Sequence, residues 1–143
     1  MVAIAWATGS DPRTWALGTM TVGTIANSIA SGVDLTVLDT GDCNVDLTIA
    51  SAATAPSSWG PAASAGANTY LMKAGTLAAA TGAPTNPASY ALTLATTGQA
   101  LTSGLLTGAT SAYALYFQAP TTITSGAATQ QTIVITITAA LAP

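Results

Sequence analysis

Histidine and glutamate are missing from this chain of 143 residues, cysteine and phenylalanine occur once each, and only two residues are basic. Each scarcity removes a class of function. Without histidine there is no Ser-His-Asp triad, no Cys-His dyad and no imidazole to hold a metal. Arg13 and Lys73 cannot form the basic cluster that neutralises phosphates, so nucleic acid is not an expected partner, and no basic face exists for an anionic membrane. Thr or Gly interrupts the longest apolar stretches well short of about 20 residues, so membrane insertion is not expected. Cys43 alone makes no disulfide framework and no paired redox or metal site, and reads as a small side chain beside a turn. The carboxylates available for acid–base work are five Asp, four of them between positions 34 and 46, a crowding that a turn explains. Neither an enzyme nor a cofactor is expected.

Charge is scarce overall. Asp11, Arg13, Asp34, Asp39, Asp42, Asp46 and Lys73 make up 5% of the chain, against about 25% in an average soluble domain. The surface is then built from Thr, Ser, Ala, Gly, Asn and Gln, with little charge to oppose association. Two readings follow: a Thr-coated monomer, or a surface largely covered by copies of itself or by a larger assembly. Half of the residues are apolar, but Ala supplies much of that fraction, which predicts a thin core of small side chains. The length fits a single domain.

What is present is alternation. In Gln131-Thr132-Ile133-Val134-Ile135-Thr136-Ile137-Thr138 the Ile residues recur at every second position, the pattern of a strand with one buried face. Residues 15–23 read as a strand with Trp15 and Leu17 on one side. Val33, Leu35 and Val37, then Val45, Leu47 and Ile49, form two alternating runs around Asp39-Thr40-Gly41-Asp42-Cys43-Asn44, which predicts a β-hairpin. Residues 68–74, 90–95 and 112–118 add further strands, the last with Tyr113, Leu115 and Phe117 in phase, and residues 101–106 read as a short strand or a turn. Residues 52–67 and 75–89 are loops rich in Pro, Gly and small residues, and no helical period is sustained anywhere. The expected fold is all-β, an antiparallel β-sandwich of seven to nine strands, immunoglobulin-like or jelly-roll. Residues 1–10 form an N-terminal strand or extended arm, and residues 11–143 the single sandwich domain.

Few residues are candidates for binding. Asp39, Asp42, Asn44 and Asp46 offer oxygen donors for Ca²⁺ but lack an EF-hand's spacing and bidentate Glu, so a plain acidic turn competes with a metal site. The Trp and Tyr residues read as a sugar-stacking platform or as core and interface filling, the latter preferred in a chain with one Phe. Trp59, alone in its loop, is singled out as a contact residue. With Val2, Ile4, Trp6, Ile133, Ile135 and Ile137 it makes up the expected interface set, because terminal strands are free to pair across to a neighbour.

Trp15-Ala16-Leu17-Gly18-Thr19, Asp34-Leu35-Thr36-Val37-Leu38-Asp39-Thr40-Gly41, Gly66-Ala67-Asn68-Thr69-Tyr70-Leu71-Met72-Lys73-Ala74 and Leu115-Tyr116-Phe117-Gln118-Ala119-Pro120-Thr121 together resemble immunoglobulin-like or jelly-roll β-sandwich modules of phage structural and bacterial surface proteins. The resemblance runs from about Trp15 to Ala139, rests on turns and strand ends, and transfers no functional residue. It implies a structural protein. The first seven residues lack the basic start and apolar run of a secretion signal. A chain made without an export signal but composed like an extracellular protein fits a virion surface; the competing explanation is a signal already removed. The expectation is therefore a virion capsid decoration or cement protein, partnered by copies of itself and a capsid shell. The alternatives are an extracellular filament or cell-surface subunit joined to its neighbours by donor-strand pairing, and a carbohydrate-binding adhesin module.

Overall fold

The computed structural model describes residues 1–9, 14–33, 35–55, 59–124 and 130–143. The described residues form ten strands: β1 (Ile4–Trp6), β2 (Ile25–Asn27), β3 (Leu35–Asp39), β4 (Val45–Ser51), β5 (Gly60–Pro61), β6 (Thr69–Thr76), β7 (Leu92–Thr93), β8 (Gln99–Leu105), β9 (Thr110–Gln118) and β10 (Ile135–Leu141). They form two sheets. The large sheet has seven strands in the order β1-β3-β9-β6-β5, with β2 also on β9 and β7 also on β6; the small sheet is β10-β4-β8. All pairings are antiparallel except the two-residue β5 beside β6. This is the expected all-β sandwich, and four of its strands are only two or three residues long.

Alternation builds the core between the sheets. Tyr70, Met72 and Ala74 of β6 and Leu115 and Phe117 of β9 face Ile49 of β4, with the inward Ile135 and Ile137 of β10 packed against them. A second cluster joins Val37 of β3 to Val45, Leu47, Leu105 and Tyr113. The core is not made of small side chains alone, because Tyr70, Tyr90, Tyr116 and Phe117 are among its largest fully buried members. Behind the large sheet, Leu71, Ala114 and Tyr116 are covered by Ala80 and Tyr90. Ala80 belongs to a short helix α1 (Leu77–Thr81), and a 3₁₀ turn over Pro87–Ser89 leads into Tyr90. Both lie where the sequence reads as plain loop.

Two predicted elements are corrected. The two runs around residues 40–44 do not form a hairpin: β3 lies in the large sheet and β4 in the small one. The connection is an arch between layers, and Val37 meets Val45 and Leu47 through side chains across the core. Alternation fixes which face is buried, but not whether the next strand lies beside or opposite. The predicted strand at 15–23 joins no ladder, although Trp15, Leu17 and Met20 are half-buried against the core. β10 also starts later and runs further than its Ile repeat suggests, to Leu141.

Candidate functional site: an open side of the sandwich

The C-terminal strand determines the site. β10 pairs with β4 in one unbroken register, from Ile135 opposite Ser51 to Leu141 opposite Val45. Ala52 donates its N–H to the Val134 carbonyl at 2.9 Å and Ala142 donates to the Asn44 carbonyl at 3.0 Å. Successive residues of an antiparallel strand turn their backbone groups to opposite sides. Even-numbered residues of this run therefore engage β4, and Ile135, Ile137, Ala139 and Leu141 turn their N–H and C=O groups away from it. No other described strand pairs there, so β10 is an edge. It has no charge, no Pro, no Gly and no bulge, the devices by which edges are usually blunted. Leu141 and the preceding Val134 are 64% and 56% exposed, high values for apolar side chains on an unprotected edge.

Beside this edge the two sheets part. A groove of about 1100 Å³ runs between the inner face of the large sheet, represented by Leu35, Met72, Tyr113, Leu115 and Phe117, and the inward row Ile133, Ile135 and Ile137. Residues 14–20 form part of its rim. A smaller hollow of about 250 Å³ lies between Ile4–Trp6 and Ile135–Ile137, so β1 and β10 flank the same side of the molecule. Among the described residues no charged side chain lines the groove, and all three tryptophans, Trp6, Trp15 and Trp59, do. Trp15 Nε1 donates to Ser31 Oγ at 2.8 Å. The Trp59 indole N–H is buried without a hydrogen-bond partner among the described residues.

Six of the seven expected interface residues converge on this side. Ile4 and Trp6 of β1, Trp59, Ile133, Ile135 and Ile137 all line the groove or the hollow, with the Ile side chains directed inward. Val2 is exposed and lines neither. Trp15, Leu17 and Met20 belong to the same wall; the shared phase of Trp15 and Leu17 is legible in the sequence, whereas Met20, which falls out of that phase, and the place of all three beside the groove are not.

The acidic residues do not converge. Asp39 is buried, not in a turn, and its Oδ1 accepts from Gly41 N at 2.9 Å. Asp42 pairs with the Met1 ammonium, which holds its carboxyl below the usual range through that hydrogen bond and charge. Asp46 accepts from Gly104 N at 2.8 Å, and Asn44 from Thr107 N at 3.4 Å. Among the described residues no three potential metal-binding His, Cys, Asp or Glu side chains gather. Asp34 and the predicted turn at Asp11-Pro12-Arg13 lie outside the described residues. Comparison of the chain with protein-family models, curated proteins and solved structures finds no match, so this site is read from its own geometry.

Proposed function

We propose that the chain is a non-enzymatic structural subunit of a multi-copy assembly, held to its neighbours through the open side of the sandwich. The observation that carries this reading is the edge of β10, unpaired among the described residues: an uncharged, unbulged strand next to a groove whose described lining is mostly apolar and carries no charge. Backbone ladder bonds and apolar burial at about 25 cal/mol per Å² sustain such contacts without ion pairs, less the cost of ordering the partners. The concrete setting we favour is a decoration or cement protein on a virion surface, with an extracellular filament subunit as the alternative. Light scattering of the purified protein at low and high salt tests the reading. Species of two or more copies that persist at high salt are expected; a monomer at both salts across the accessible concentration range overturns it. Electron microscopy of the assembled species separates filaments from discrete particles.

The gathering of Trp6, Trp15 and Trp59 in one groove favours a second reading, a glycan-binding module, since sugar rings stack on indoles. That reading requires tryptophan emission to change on titration with glycans.

A further inference from the structure

We propose that β10 pairs with β10 of a second copy, antiparallel about a two-fold axis at Ile137, joining two small sheets into one of six strands. The inference rests on the structural-subunit reading and names its partner and register. Three observations single out a second copy. First, the backbone groups without a ladder partner among the described residues belong to Ile135, Ile137, Ala139 and Leu141, and an axis at Ile137 sets Ile137 against itself and Ile135 against Ala139, so that in these pairs each open N–H meets an open C=O. Second, the side chains are self-complementary in this register. Ile133 covers the exposed Leu141 of the other copy, Val134 meets Ala140 with no polar group left between them, and Thr136 meets Thr138, a favourable cross-strand pair. Third, charge does not oppose it. Among the described residues the acidic side chain opposite β10 on its neighbouring strand is Asp46, beside Ala140 on β4. Antiparallel pairing puts the two copies of Asp46 at opposite ends of the joint, about 20 Å apart along the strands, beyond a Debye length of about 8 Å.

The test uses the outward positions Thr136 and Thr138, which are exposed, so that charges placed there leave the core untouched. T136K/T138K sets Lys against Lys twice across the joint and is expected to raise the dimer dissociation constant about tenfold or more at low salt, less at high salt. T136E/T138K sets Glu against Lys twice and is expected to restore association to within about threefold of the parent. Sedimentation equilibrium reads both, and hydrogen exchange of the unmutated protein supplies an independent measure. The amides of Ile135, Ile137 and Ala139 should become protected as concentration rises. A parent protein that self-associates while T136K/T138K keeps the same mass overturns β10 pairing and leaves the structural-subunit reading standing. Failure of T136E/T138K to restore association overturns the register. A parent that stays monomeric overturns both the inference and the reading beneath it.

Discussion

Single residues decide how tightly the inner layer is held. The Tyr70 hydroxyl lies 2.6 Å from Ser51 Oγ and also donates to the Ala52 carbonyl, binding β6 to the end of β4. Tyr70→Phe leaves the fully buried Ser51 hydroxyl without that partner, and is expected to cost about 1–3 kcal/mol in urea unfolding. S51A/Y70F should recover part of the loss, because the orphaned group goes with its partner. Gly75 is demanding for a different reason. A Cβ there would stand 2.9 Å from both the Ser89 carbonyl oxygen and Tyr90 Cα, which are backbone atoms that cannot swing aside. Gly75→Ala should therefore destabilise by about 1–3 kcal/mol, measured the same way. Neither constraint is legible in the sequence: Tyr70 is visible there only as an apolar member of an alternating run, and Gly75 only as the start of a loop.

Elements differ in how openly the sequence declares them. β6 and β9 are plain, because Tyr70 and Met72, and Tyr113, Leu115 and Phe117, repeat at period two over whole strands. The arch from β3 to β4 is hidden, since an inward Val37 followed by an inward Val45 satisfies a hairpin and a layer crossing equally well. Helix α1 is hidden by its brevity: one turn of Leu77, Ala78, Ala79 and Ala80 has no period, and only Thr76 at its N-cap, accepting from Ala79 N, marks it. The free edge of β10 is hidden most thoroughly, because a strand's own residues do not record whether one or both sides are paired. Proline substitution exposes it. Ala139 turns its N–H to the open side, so Ala139→Pro removes no bond to β4 and should leave a folded protein. Thr138 turns its N–H to Thr48, so Thr138→Pro should cost about 3 kcal/mol or more. Thermal unfolding of the two variants at a concentration where the parent is monomeric, with circular dichroism to confirm the sheet, separates them; equal losses there would mean that β10 is paired on both sides within one copy.

The whole molecule should be indifferent to mild changes of pH and sensitive to alkali. It has no histidine and few carboxylates, so little titrates near neutrality. Burial pushes the Tyr70, Tyr90 and Tyr116 phenols up from the usual value, with the Ser51 hydrogen bond partly opposing this at Tyr70. A phenol that keeps its proton longer when folded than when unfolded contributes stability in full below about pH 10. That contribution is lost as pH climbs from there through the folded-state value. The melting temperature should thus be level between about pH 6 and pH 9 and fall above about pH 10. A fall centred near pH 6 to 7 would contradict this. The arrangement of the tryptophans has an optical consequence. Since every indole in the chain borders one groove, the ultraviolet emission of this protein reports on a single place. Events at the open side shift its colour without any attached label, whereas events at the acidic corner around Asp42, which is not part of the groove, should leave that colour unchanged.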